Sequence, residues 1–291
     1  MSLNLITGAK GQLGCELKAA SKKYFGNDFI FTDIDTLDIT DGNKLQDFIK
    51  KRKPNWIINC AAYTNVDKAE EEYEKALMIN GLAVKNIVSV IRDTPCRLVH
   101  ISSDFVFDGK STVPYRETDP VNPLSAYGRS KLEGEKYARQ HPYSMVIRTS
   151  WLYSSFGKNF VKTILKLASE KDSLDVVDDQ VGTPTYASDL AHTILSIVAG
   201  VNSNQIAFNE GVYHYSNEGF CSRYEFAVAI LEDAGIKTPV NPVKTTDIKS
   251  VAVRPKYSVL SKQKITENYR IAIPHWRTSL TKCIKLINKS Y

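Results

Sequence analysis

A phenol and an ammonium stand four residues apart in Tyr127-Gly128-Arg129-Ser130-Lys131, a spacing that puts both on one face of a helix. Proton exchange with a reacting oxygen is the chemistry that suits the pair. A free tyrosine has a pKa near ~10, so a neighbouring cation must bring it toward neutrality before it exchanges protons usefully, and Lys131 is spaced to supply that charge. Taken alone, the spacing is a weak signal in a chain with 15 tyrosines. Ser102-Ser103-Asp104 strengthens it. These residues follow an apolar run ending at Ile101, which puts them at the carboxyl end of a parallel strand, where ligands bind and where the Ser103 hydroxyl would hold a carbonyl oxygen.

The second chemical feature is Thr7-Gly8-Ala9-Lys10-Gly11-Gln12-Leu13-Gly14, which follows the first apolar run and opens a helical pattern. Glycines at 8, 11 and 14 let the backbone turn tightly and approach a pyrophosphate, while Gln12 and Leu13 begin the helix whose positive end would face it. The other reading is a glycine-rich turn with no ligand. Asp33, 19 residues beyond Gly14, argues for the ligand, because a carboxylate there hydrogen-bonds an adenosine ribose and repels a 2′-phosphate. With no arginine beside it, NADH is expected over NADPH. Asp38 and Ile39 are expected at the adenine. Ala61, Ala62 and Tyr63, after the fourth apolar strand or its neighbour, are expected on the nicotinamide side.

Positioning these groups requires a particular scaffold. Short β-rich apolar runs at 3–7, 29–32, 56–60, 98–102 and 145–148 alternate with amphipathic stretches, the pattern of βαβ units, so an α/β, Rossmann-type doubly wound parallel sheet is expected. Residues 1–150 read as the cofactor domain and 151–291 mainly as a smaller α/β substrate lobe, whose turn-rich clusters begin near Asp178. A helix over 189–198 and a strand over 212–216 make 185–216 a candidate for return to the main sheet.

Composition sets the remaining bounds. With 43% hydrophobic and 24% charged residues the chain is an ordinary globular protein, and it lacks both a basic leader and an apolar run of membrane-spanning length, so a cytoplasmic, non-membrane protein is expected. Five scattered cysteines give neither a disulfide framework nor a zinc site, and the five histidines show no ligand spacing. No nucleic-acid motif accompanies the net charge of +6, so no nucleic-acid partner is expected. The acidic run Glu70-Glu71-Glu72 reads as a solvated helix face.

At this point the chain is similar to the extended short-chain dehydrogenase/reductase family over nearly its whole length. The resemblance rests on Gly8 to Gly14, Cys60 to Glu70, Ser102 to Gly109, Tyr127 to Glu135, Arg148 to Trp151, Asp179 to Thr185, and Arg254-Pro255 with Ser258. It implies an NADH- or NADPH-dependent enzyme acting on a dTDP-sugar, with Tyr127 protonating the oxygen at C4, Ser103 bonding the same oxygen and Lys131 contacting the nicotinamide ribose. It also implies a sugar site of Asp104, Thr64, Val66 and Trp151, with Arg254 at the diphosphate; Trp151 has a second reading as an ordinary core aromatic. Sugar-nucleotide dehydratases of this family carry a glutamate where this chain has Phe105, so reduction is expected rather than loss of water. Two alternatives remain open: a reductase or epimerase of another nucleotide sugar, and a non-catalytic regulatory subunit of the kind found with methionine adenosyltransferase. The resemblance allows a monomer or a homodimer. Mg2+ is compatible with it and is not expected from the residues: Glu16 stands at a plausible metal position but reads as a solvated helix residue.

Overall fold

The structure is a computed structural model that describes residues 2–24 and 27–288. Its centre is a six-stranded sheet in which every pairing is parallel. The first five strands are β1 (Ser2–Thr7), β2 (Asn27–Phe31), β3 (Trp56–Asn59), β4 (Arg97–Ser103) and β5 (Ser144–Thr149), each within two residues of the run read from sequence. The sixth, Gly211–His214, pairs with β5, giving the order Gly211–His214, β5, β4, β3, β1, β2. Continuous apolar strands such as Trp56-Ile57-Ile58 are what a sheet covered on both faces requires, and all three side chains are fully buried.

Helices cover each face. On one, Leu13 and Leu17 of α1 (Gln12–Ser21) pack with Leu190, Ile194 and Val198 of the helix Ala187–Asn202. On the other, Leu45 and Ile49 of α2 (Gly42–Arg52) pack with Val84, Ile87 and Ile91 of the helix Ala83–Ile91. From β1 the chain winds outward to β2 on one side and through β3, β4 and β5 on the other. This reversal opens a crevice at the carboxyl ends of β1 and β3. Residues 61–63 follow β3, the neighbour of β4 in the sheet.

A second cluster, built from the helices Phe160–Glu170, Arg223–Ala234 and Trp276–Asn288 with the parallel pair Leu174–Val177 and Val240–Val243, lies beyond the sheet's carboxyl edge. The chain leaves the sheet after β5, returns for Ala187–Asn202 and Gly211–His214, and leaves again. The crossing after β5 is tight, with Trp151 held at φ +45°.

Candidate active site

The phosphate loop owes its shape to one glycine. Gly8 sits at φ +68°, and a Cβ on it would lie 2.5 Å from the Ala61 nitrogen, so only glycine lets the loop close against the end of β3. Gly11 N donates to Gly8 O at 3.1 Å, and Gln12 begins α1 just beyond. Asp33 accepts from the Lys10 backbone nitrogen at 2.8 Å, which ties this carboxylate to the loop. A cation does stand here, although it is not an arginine: the Lys10 ammonium pairs with Asp35 at 2.7 Å. Asp38 is engaged locally, accepting from Thr40 N and Oγ1.

Tyr127 and Lys131 lie on the helix Ala126–Ala138. Ser125 caps it, accepting from Gly128 N, and Glu70 Oε1 accepts from Ala126 N at 2.8 Å. The acidic run is therefore not simply a solvated face. Glu70 puts a negative charge at the positive end of this helix, and Glu72 accepts the Tyr63 phenol at 2.8 Å. A π-helical turn at Met78–Leu82 carries Asn80 inward, where its side chain accepts from Tyr63 N and donates to Tyr63 O and Ser130 Oγ. Asn80 thus joins the loop after β3 to the helix of Tyr127 and Lys131, a positioning role that sequence spacing did not reveal.

The electrostatics depart from the expected picture. Burial pushes the Tyr127 phenol up to about 12, with the Ser103 hydroxyl pulling the other way and the Asp104 charge adding to the rise. Lys131 is not among the groups that move it. Its ammonium donates to Ile101 O at 2.6 Å, and burial brings it down to about 8 against the pull of Glu135. The expectation that Lys131 lowers Tyr127 is corrected here: desolvation outweighs any cation, and the phenol is held neutral. Ser103 Oγ donates to Asp104 Oδ1 at 3.0 Å and accepts from Phe105 N. Burial also pushes Asp104 up to about 6, against the hydroxyls of Ser258 and Ser103 and the Arg223 charge.

At the far end stands Trp151, against which Gly182 packs so closely that a Cβ there would meet the indole at 2.6 Å. The Arg223 guanidinium carbon lies 3.6 Å from the Trp151 ring centroid. Arg254 is committed elsewhere: it forms a bidentate pair with Asp67, at 2.6 and 3.2 Å, and also bonds Ser250 and Ala252 O. This pair straps the segment before Pro255 to the loop after β3, so the arginine assigned to a diphosphate is occupied by a carboxylate of the chain itself.

One cleft of about 1450 Å³ brings these groups together, larger than the roughly 300–1,000 Å³ of a single small-ligand site and sufficient for a dinucleotide and a second ligand. Its walls include Gly8, Gly11, Gln12, Leu13, Gly14, Asp33, Asp38, Ile39, Ala61 and Ala62 at one end. Thr64, Val66, Ser103, Asp104, Tyr127, Lys131, Trp151 and Arg254 follow toward the other. Tyr63 is the exception: its side chain packs against Ala69, Ala76 and Ala126, and its backbone bonds Asn80. Arg223 lines the cleft and was not singled out by any spacing. Glu16 is buried and accepts from Ser154 at 2.6 Å, so its reading as a solvated residue is corrected as well. Among the described residues no group of three His, Cys, Asp or Glu side chains is arranged to hold a metal ion.

Parallel sheet, phosphate loop and a tyrosine–lysine helix on one cleft define the class, a Rossmann-type oxidoreductase of the extended short-chain kind. Within that class the chain belongs to the family whose model is described as the RmlD substrate binding domain, which matches residues 1–289. It is 41% identical to the spore coat polysaccharide biosynthesis protein SpsK of Bacillus subtilis over 98% of both chains. A dTDP-4-dehydrorhamnose reductase structure from Clostridium acetobutylicum superposes with a TM-score of 0.92 at 42% identity, over 98% of this chain and 99% of that one. The dTDP-4-dehydrorhamnose reductase of Bacillus anthracis, solved with NADP, gives 0.91 at 36% identity over 98% and 100%. Among the described residues no helix is long and apolar enough to cross a membrane.

Proposed function

We propose that the chain reduces the C4 ketone of dTDP-4-dehydro-L-rhamnose to dTDP-L-rhamnose with NADH or NADPH, making a precursor of cell-surface polysaccharide. The observation that carries this reading is a neutral Tyr127 beside Ser103 in a cleft whose other end is a phosphate loop. The cofactor, when bound, supplies the hydride. Gly8, Gly11 and Gly14 fit its pyrophosphate, since the space a Cβ would fill at Gly8 is what lets the loop close. Asp33 suits an adenosine ribose and favours NADH, with Asp38 and Ile39 at the adenine and Ala61 and Ala62 at the nicotinamide.

Tyr127 donates its phenolic proton to the oxygen at C4, for which a phenol held protonated is the right state. The Ser103 hydroxyl holds that oxygen in line. Lys131, its ammonium anchored at Ile101, is placed to meet the ribose. Asp104, Thr64, Val66 and Trp151 bound the sugar. Phe105 stands where the dehydratases carry a glutamate, so Asp104 has no second carboxyl group beside it to share the acid and base roles that elimination of water needs. Residues 1–150 with 185–216 serve as the cofactor domain, and most of 151–291 serves the sugar nucleotide. We place the activity in the cytoplasm, in keeping with five cysteines that are all free thiols. The test is oxidation of the reduced cofactor in the presence of the 4-keto nucleotide sugar.

A further inference from the structure

Arg223 is a cleft side chain whose hydrogen-bonding groups the proposed reaction leaves unused. It is the first residue of the helix Arg223–Ala234, and its backbone is fixed by the capping box of Ser222 and Glu225 and by its own N–H bond to Gln180 O at 3.1 Å. The guanidinium carbon is 3.6 Å from the Trp151 centroid, a separation that only a position over the ring face allows, and 5.1 Å from that of Phe160. Trp151 cannot recede, because Gly182 packs against its indole. The cation is thus held by its apolar face on a fixed platform.

Its N–H edge is free. Among the described residues the guanidinium makes no hydrogen bond, and it borders the cleft close enough to Asp104 to feel its charge. Arg254, by contrast, spends its donors on Asp67, Ser250 and Ala252. A desolvated guanidinium with unused donors wants an anion with paired oxygens, and phosphate matches its fork. Burial brings Arg223 down to about 10, which leaves it charged at neutral pH.

We propose that Arg223, stacked on Trp151, binds the diphosphate of the substrate where it joins the sugar, and so helps set the enzyme's preference for a nucleotide-linked sugar. This rests on the reading above that the substrate is a nucleotide sugar. Arg223 then fills the role that the family resemblance implied for Arg254. With the diphosphate gripped at C1 and Tyr127 at C4, the sugar is held at both ends across the ring.

The test uses dTDP as a non-reacting probe and thymidine as its uncharged counterpart, titrated by tryptophan fluorescence into the wild-type protein, Arg223→Gln and Arg223→Lys. Arg223→Gln is expected to weaken dTDP about tenfold or more, as loss of a charged hydrogen-bonding partner does, with thymidine and NAD(P)H affinities moving far less. The salt dependence of dTDP binding should flatten in the same variant, and Arg223→Lys should recover part of the affinity. In turnover, KM for the nucleotide sugar should rise by more than kcat falls. Affinity for dTDP within twofold of wild type in Arg223→Gln, an equal loss for thymidine, or no dTDP binding by the wild type would each overturn the proposal. Wild-type protein that binds dTDP through Arg223 yet turns nothing over would leave it standing and remove the reductase reading instead.

Discussion

The Lys131 ammonium donates to the Ile101 carbonyl at 2.6 Å, which anchors the charge at the carboxyl end of β4. Tyr127, one helical turn earlier, meets burial and the Ser103 hydroxyl instead, and its phenol stays protonated. Acid and cation therefore hold separate posts before any ligand arrives.

Replacing Tyr127 by Phe removes the proton donor and little else, because the ring's edge contact with Phe105 at 5.4 Å survives. Turnover is expected to fall about 10²-fold or more, with the cofactor dissociation constant nearly intact. Equal losses in both would mark the phenol as structural.

The reaction is expected to take its alkaline limb from Lys131. With its pKa near 8, the lysine carries its charge below that pH and loses it above. A plot of kcat/KM against pH should accordingly bend downward close to 8, the free-enzyme value. A limb that begins only near that of an exposed lysine, about 10.4, would contradict the buried geometry.

Asp104 links pH to stability. Its folded value, near 6, stands above the roughly 3.9 of an exposed aspartate, so the folded state holds a proton the unfolded chain releases. The resulting stabilisation is full below the unfolded value and is lost as pH rises through about 6. Asp104→Asn, neutral at every pH, should therefore melt a few °C above wild type at about pH 8, with the gap closing near pH 4. A gap that widens on acidification would reverse the assigned sign.

Asp33 and Lys10 are expected to govern the choice of cofactor. Asp33→Ala removes the charge that opposes a 2′-phosphate and leaves the Lys10 ammonium, now beside Asp35, as a cation at hand. The ratio of kcat/KM for NADPH to that for NADH is expected to rise at least about tenfold, more than 1.4 kcal/mol of discrimination. An unchanged ratio would place the 2′-position elsewhere.

What the sequence disclosed and what it withheld divide along the range of the interactions. The glycine loop, the Tyr127–Lys131 spacing and the strand-end serine are local patterns, and the sheet that gathers them follows from short apolar runs alternating with helices. Asn80 could not be found this way, because its role depends on a π-turn and on partners 17 and 50 residues distant. The Arg254–Asp67 pair joins residues 187 positions apart, a strap that no local spacing reports. Burial, which decides the charge states of Tyr127 and Asp104, depends on three-dimensional packing that no spacing rule reports. Arg223 gave no signal until the fold set it over Trp151.

The central claim is tested most directly by the absorbance of the reduced nicotinamide, followed while the chain meets dTDP-4-dehydro-L-rhamnose produced by the preceding enzymes. The expected result is oxidation of one cofactor per dTDP-L-rhamnose formed, abolished in Tyr127→Phe. Steady absorbance with a correctly folded, cofactor-binding protein would contradict it.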